Sequence, residues 1–114
     1  MTLVKVKVGP GAEVIKTVSE ELERLGIRNA AVVSLVGAVD EFCISNMPRT
    51  NAKDDILTDF AEPCEMSGTG EVVDGRVHLH CVFGREDNST VSGHLRWANV
   101  SNWFVHAYVD SFES

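Results

Sequence analysis

Positive charge is in short supply in this sequence. Ten lysines and arginines stand against 17 aspartates and glutamates, a formal net charge of −7 at neutral pH. Non-specific affinity for nucleic acid comes largely from Lys and Arg neutralising phosphates, so this balance excludes a general polyanion binder. No run reaches the roughly 20 apolar residues that span a bilayer. The opening MTLVKVKVGPG is too polar and too short for a secretory signal. Cysteine is scarce and odd in number, with Cys43, Cys64 and Cys81 forming no CxxC pair, which argues against a disulfide framework. These absences predict a soluble, reduced, cytoplasmic protein with neither membrane nor arbitrary nucleic acid among its partners.

Common catalytic signatures are missing too. GPGAEV lacks the GK[ST] of a phosphate loop, GTG lacks the remaining glycine of a dinucleotide fingerprint and opens no helix, and there is no GxSxG elbow. These glycine segments read as turns.

What is present fits one domain over residues 1–114. The chain is 44% hydrophobic, enough for a core, yet small enough to gain stability by oligomerising. LVKVKVG alternates Val4, Val6 and Val8 with lysines, as in a half-buried strand. From Ala12 to Leu25 the positions Val14, Ile15, Val18, Leu22 and Leu25 keep a helical period, with Glu13 in the first turn and Gly26 suited to a left-handed cap. NAAVVSLVGAV reads as a strand covered on both faces, with Gly37 at a bend or bulge, and EFCIS as its partner. NMPRTNAKDDILT has no period and reads as the longest loop. CEMSGTGEVV, RVHLHCVF and WFVHAYV supply further strands, the first two joined at a tight DG turn. The architecture predicted is α+β: a mostly antiparallel sheet with one main helix against one face.

Three of the four histidines fall within HLHCVFGREDNSTVSGHL. If VHLHCVF and TVSGHLRW are the arms of a hairpin around GREDNS, one register sets His80 opposite His94. Val77, Leu79, Cys81 and Phe83 then share a face with Trp97, Leu95, Gly93 and Val91, while His78, His80, His94 and Arg96 share the other. Opposed Cβ atoms lie about 4.5–5.5 Å apart, so three imidazoles can converge on one ion. Three neutral imidazoles with an open fourth position suit zinc or another borderline divalent metal. The same residues also fit a polar groove whose histidines pair with Glu65, Glu71 or Asp87, and spacing alone does not choose between the two.

The remaining chemistry-bearing residues have plainer readings. His106, on a largely apolar strand, reads as a hydrogen-bonded core residue. Cys81 falls on the apolar face and reads as a structural thiol, and acids beside Cys64 disfavour its thiolate. Asp54, Asp55, Asp59 and Glu62 read as a solvated acidic face, from which a loop carboxylate could serve a nearby site as a base. The N-x-S/T matches at Asn88 and Asn99 carry no weight in a cytoplasmic protein.

EPCEMSGTG from Glu62, HLH at His78 and His80, and SGHL from Ser92 together resemble the plants-and-prokaryotes conserved (PPC) domain family. Its signature is a Glu-containing strand ending in Ser-Gly, then HxH, a short turn and GGH-L. PGAEVIKTVSEELERLGIRNAAVVSLVGAV resembles the family's opening, so the similarity spans nearly the whole chain. The resemblance implies an α+β homotrimer whose histidines hold a metal in some prokaryotic members. Plant members join the domain to basic AT-hook segments, of which there is none here. This sequence departs from the pattern in having Ser92 for the first glycine of GGH-L and His106 where an acidic residue is usual.

The functional expectation is a trimeric protein in which His78, His80 and His94 hold a divalent ion, zinc first among the candidates, next to a site for a small anionic or carbonyl-bearing molecule. Glu62, Glu65 and His106 are the candidate proton carriers. The alternative is a DNA- or transcription-associated module acting through protein partners. No motif names a reaction, so whether the protein is an enzyme stays open.

Overall fold

The computed structural model describes residues 2–112. Eight strands form one sheet in the order β1-β8-β2-β5-β6-β7-β3-β4. They are β1 (Thr2–Val8), β2 (Ala30–Val39), β3 (Glu41–Asn46), β4 (Ile56–Phe60), β5 (Cys64–Val73), β6 (Arg76–Gly84), β7 (Thr90–Asn99) and β8 (Val105–Ser111), and every neighbouring pair is antiparallel. One helix, α1 (Val14–Arg24), packs against β1, β6 and β7. The α+β expectation is therefore met.

The helix keeps the predicted period but is shorter than Ala12–Leu25: Leu25 is its C-cap and is 41% exposed rather than part of the apolar stripe. Val14, Val18 and Leu22, one turn apart, are buried, while its charged residues line the opposite side. Glu13 lies just outside the helix as its N-cap: its carboxylate accepts from the amides of Ile15 (2.9 Å) and Lys16 (2.8 Å), a cap worth about 1 kcal/mol. The same carboxylate accepts from the Ala98 amide at 2.9 Å, tying the helix start to β7. At the other end Gly26 (φ 73°) takes the left-handed conformation, with Gly26 N donating to Glu23 O and Ile27 N to Leu22 O.

The sheet curls round the helix. The turn after β1 meets the end of β7, where Gly11 N donates to Val100 O and Val100 N to Ala12 O. Phe42 and Phe83, both with no solvent exposure, stack at 3.7 Å between centroids in the middle of the core. At the β5–β6 hairpin Asp74 (φ 51°) and Gly75 (φ 82°) both have positive φ, the turn chemistry that the DG dipeptide predicts.

Several local expectations change. The supposed long loop ends early, because Ile56–Phe60 forms the edge strand β4 on β3. β2 is not covered on both faces: Val33 is 54% and Val36 53% exposed, while Val32 and Leu35 are buried in the core. Its irregularity lies between Val32 and Leu35 rather than at Gly37. Gly37 is instead a place of close approach, where a Cβ would sit 1.9 Å from the Phe104 carbonyl oxygen. CEMSGTGEVV forms β5 over its whole length as expected, so its Gly68-Thr69-Gly70, also read as a turn, lies in mid-strand. In β7, Trp97 is only half-buried while Ala98 is fully buried. There Cys43 pairs with Trp97 and Ile44 with Leu95, leaving Arg96 as an extra, bulged residue that shifts the alternation by one.

Candidate metal centre

Two strands and their pleat bring the three histidines together. In β6, Leu79 and Cys81 point into the core at 0% and 1% exposure, so His78 and His80 point outward. β7 pairs with β6 so that His80 lies opposite His94 and Cys81 opposite Gly93, the register expected from side-chain parity. The ladder ends at His80 and His94, and Leu95 pairs onward with Ile44 of β3. Ring centroids are 4.8 Å apart for His78 and His80, 4.5 Å for His78 and His94, and 5.8 Å for His80 and His94.

Each histidine offers one ring nitrogen, and the three nitrogens lie within 4.8 Å of one another. The Nε2 atoms of His78 and His80 are 3.1 Å apart. Bonds of about 2.0–2.1 Å to a tetrahedral zinc place two ligand nitrogens roughly 3.4 Å apart. One edge of the triangle already has that scale, and the third nitrogen lies within 4.8 Å of the other two. His78 and His80 are exposed and His94 half-buried. Burial pulls the His94 imidazole below its ordinary pKa, with His78, Arg96 and His80 acting the same way and Asp55 opposing them. Only the neutral imidazole binds a metal, so this environment favours the ligating form. The donor set fits a borderline divalent ion.

The backbone under the triad requires glycine. Gly68 and Gly70 of β5 lie beside Cys81 and Leu79 of β6. A Cβ on Gly70 would come within 2.1 Å of the His78 carbonyl oxygen, and one on Gly68 within 2.4 Å of that of His80. The GTG segment lets β5 close against the strand that carries His78 and His80.

A groove of about 870 Å³ runs along this outer face, lined among others by His80, His94, Thr69, Ser45, Val36 and Asp55. That size suits a small-molecule ligand. The groove's one carboxylate among the described residues is that of Asp55. Sequence pattern placed Asp55 in a solvated cluster without singling it out, since only the path of residues 47–55 brings it here. Arg96 Nη2 holds it at 2.9 Å, and Arg96 Nε donates to Ser45 Oγ at 2.9 Å.

The candidate proton carriers lie elsewhere in the chain. Glu62 accepts from Arg85 Nε at 2.8 Å and Nη2 at 3.2 Å, and that pairing lowers its pKa. Glu65 lies opposite Gly84, four residues and so about 13 Å along β5 from Thr69, the partner of His80. His106 shares a row with Val36, Ser67 and Val82, about 14 Å across three strand spacings from β6. It is not a core residue: it is half-buried on the outer face with its ring stacked on Phe104 at 4.3 Å, while Val105 and Ala107 fill the core. Burial, then Lys5 and Lys7, lower its pKa. Burial pushes the Cys81 thiol up to about 12, and burial together with Glu62 raises that of Cys64, so both stay protonated near neutral pH.

The chain belongs to the Plants and Prokaryotes Conserved domain family, whose model matches residues 1–113. Among solved structures it is similar to a plant- and prokaryote-conserved protein from Pyrococcus horikoshii at 20% identity and a TM-score of 0.85, over 100% of this chain and 81% of that one. It is similar to a metal-containing protein from Archaeoglobus fulgidus at 25% identity and a TM-score of 0.79, over 100% and 83%. A Bacteroides thetaiotaomicron protein, provisionally called DNA-binding, matches at 23% identity and a TM-score of 0.84, over 98% and 80%. No curated protein matches the chain.

Proposed function

We propose that His78, His80 and His94 hold one divalent ion, zinc first, and that the groove beside them binds a small anionic or carbonyl-bearing molecule. The observation that carries this reading is the convergence of three imidazole nitrogens within 4.8 Å on one outward face. A structurally similar archaeal protein is called metal-containing, which supports it. Three protein ligands leave a coordination position open, and an ion so held polarises a carbonyl or acidifies water. The chain's own part is to favour the neutral form of His94, aim the three imidazoles by strand register, and present Asp55 in the same groove. Glu62, Glu65 and His106 could serve this site only from a neighbouring copy.

That neighbour is part of the proposal. Val33, Val36 and Val82 are 54%, 53% and 45% exposed on the outer face, and burying them between copies, as a homotrimer, stabilises a domain of this size. Three free, buried thiols suit a reducing, cytoplasmic setting. Among the described residues no helix is long and apolar enough to cross a membrane. The DNA-associated alternative has support in the name of a relative, but the net charge of −7 works against direct duplex contact.

Calorimetric titration of the chelator-treated chain with zinc tests the reading. One ion per chain should bind to the wild type and none to His80→Ala, with unchanged circular dichroism. Equal binding by both would refute it.

A further inference from the structure

Arg96 and Asp55 form a half-exposed ion pair at the edge of the groove, and the two partners are held very differently. Arg96 is fixed. It is the bulged residue of β7, and a bulge re-aims the side chain it carries. Its Nε donates to Ser45 Oγ, and Ser45 is 3% exposed, so the orientation of the guanidinium is set from below. Asp55 is the movable partner: it ends the irregular segment 47–55, most of whose residues are exposed, and its own side chain is 53% exposed.

Asp55 lines the groove, and Arg96, whose side chain is 36% exposed, meets it at the groove's edge. A guanidinium matches a planar carboxylate, and its present partner is one. Asp55 is also the groove's one acidic side chain among the described residues. If it swings away, the Arg96 guanidinium loses its carboxylate partner at the edge of a groove with no other carboxylate, beside His80 and His94. Half-exposed ion pairs of this kind shift equilibria by no more than about fivefold, so a competing carboxylate can displace Asp55.

We infer that Arg96 is the anion-binding residue of this groove, that its ligand is a small carboxylate, and that Asp55 occupies the place of that carboxylate until the ligand arrives. The inference deepens the metal-site reading and rests on it for the ligand's purpose. Binding of the carboxylate to Arg96 needs no metal.

The test is NMR of the ¹⁵N-labelled full chain, following Arg96 Nε–H and nearby amides during titration with acetate and with oxalate. It is run first on chelator-treated protein, so that acetate cannot report a metal instead. Asp55→Asn should bind acetate about threefold to fivefold more tightly than wild type, because the internal competitor has lost its charge. Arg96→Gln should lose saturable binding, at least tenfold. His80→Ala should lose zinc but keep Arg96-dependent acetate binding, which separates failure of this inference from failure of the metal reading. If Arg96→Gln does not fold, the sign of the Asp55→Asn effect decides. Unchanged, weaker or undetectable acetate binding by Asp55→Asn, or wild-type binding by a folded Arg96→Gln, would overturn the inference.

Discussion

His80 stands directly across from His94 on the neighbouring antiparallel strand, while Leu79, one residue away, has no solvent exposure. The same pleat thus separates a histidine-bearing side from a core-facing side. Leu79→Ala should lower stability by about 2–5 kcal/mol, the cost of a large-to-small change in a packed core. His80→Ala should change it by no more than about 0.5 kcal/mol. Urea denaturation of the two metal-free variants measures both.

The glycines of β5 should matter to the ligands on β6. A methyl group on Gly70 would meet the His78 carbonyl oxygen at 2.1 Å, so the strands must part and the imidazoles move with them. Gly70→Ala should weaken zinc binding by about tenfold or more, as changes to groups that support metal ligands do. Gly84→Ala, on the same hairpin with nothing within 4 Å of the added carbon, is the control and should bind zinc like the wild type.

Much of this arrangement is legible in the sequence, and the reasons differ by element. The β6–β7 hairpin can be read because one register puts Leu79, Cys81 and Leu95 on the core side and three histidines on the other, and a one-residue slip would mix them. Helix α1 can be read from its period and from Gly26. Ile56–Phe60 could not be read as a strand because β4 is an edge strand with four of its five residues exposed, so no buried alternation marks it. Gly68-Thr69-Gly70 misleads because glycine favours turns, whereas here it answers a close approach between strands. The bulge at Arg96 leaves no trace in the local pattern, so simple alternation puts Trp97 where Ala98 sits. Asp55 reaches the groove through the path of an irregular segment, which no periodicity encodes.

Asp40 gives the fold a pH dependence of definite sign. Burial alone would raise its pKa, but its carboxylate accepts from Ser101 N (2.6 Å), Asn102 N (3.2 Å) and Asn102 Nδ2, and together these hold it below the ordinary carboxylate range. A carboxyl whose folded pKa is depressed contributes stability that is present above its unfolded pKa, about 3.9, and is lost as pH falls through the folded value. Asp40→Asn should cost about 1 kcal/mol at pH 7, and the gap should close on acidification below pH 4. Thermal melts from pH 7 to pH 3 check this, and a gap that widens at low pH would contradict it.

The exposed valines of the outer face give the proposed self-association a mutational test. Light scattering at micromolar concentration should give three times the 12.5 kDa chain mass. Val36→Lys, which puts a charge at a 53% exposed apolar position, should shift the mass toward one chain. A monomeric wild type would count against self-association.

The central claim is that the three histidines are metal ligands. Metal content by mass spectrometry tests it most directly, on wild type, His80→Ala and His106→Ala after incubation with zinc and dialysis without chelator. The account predicts one ion per chain in the wild type and in His106→Ala, and none in His80→Ala. A wild type that stays metal-free after incubation with zinc, manganese, iron or nickel salts, or a His80→Ala variant that keeps a full complement, would contradict it.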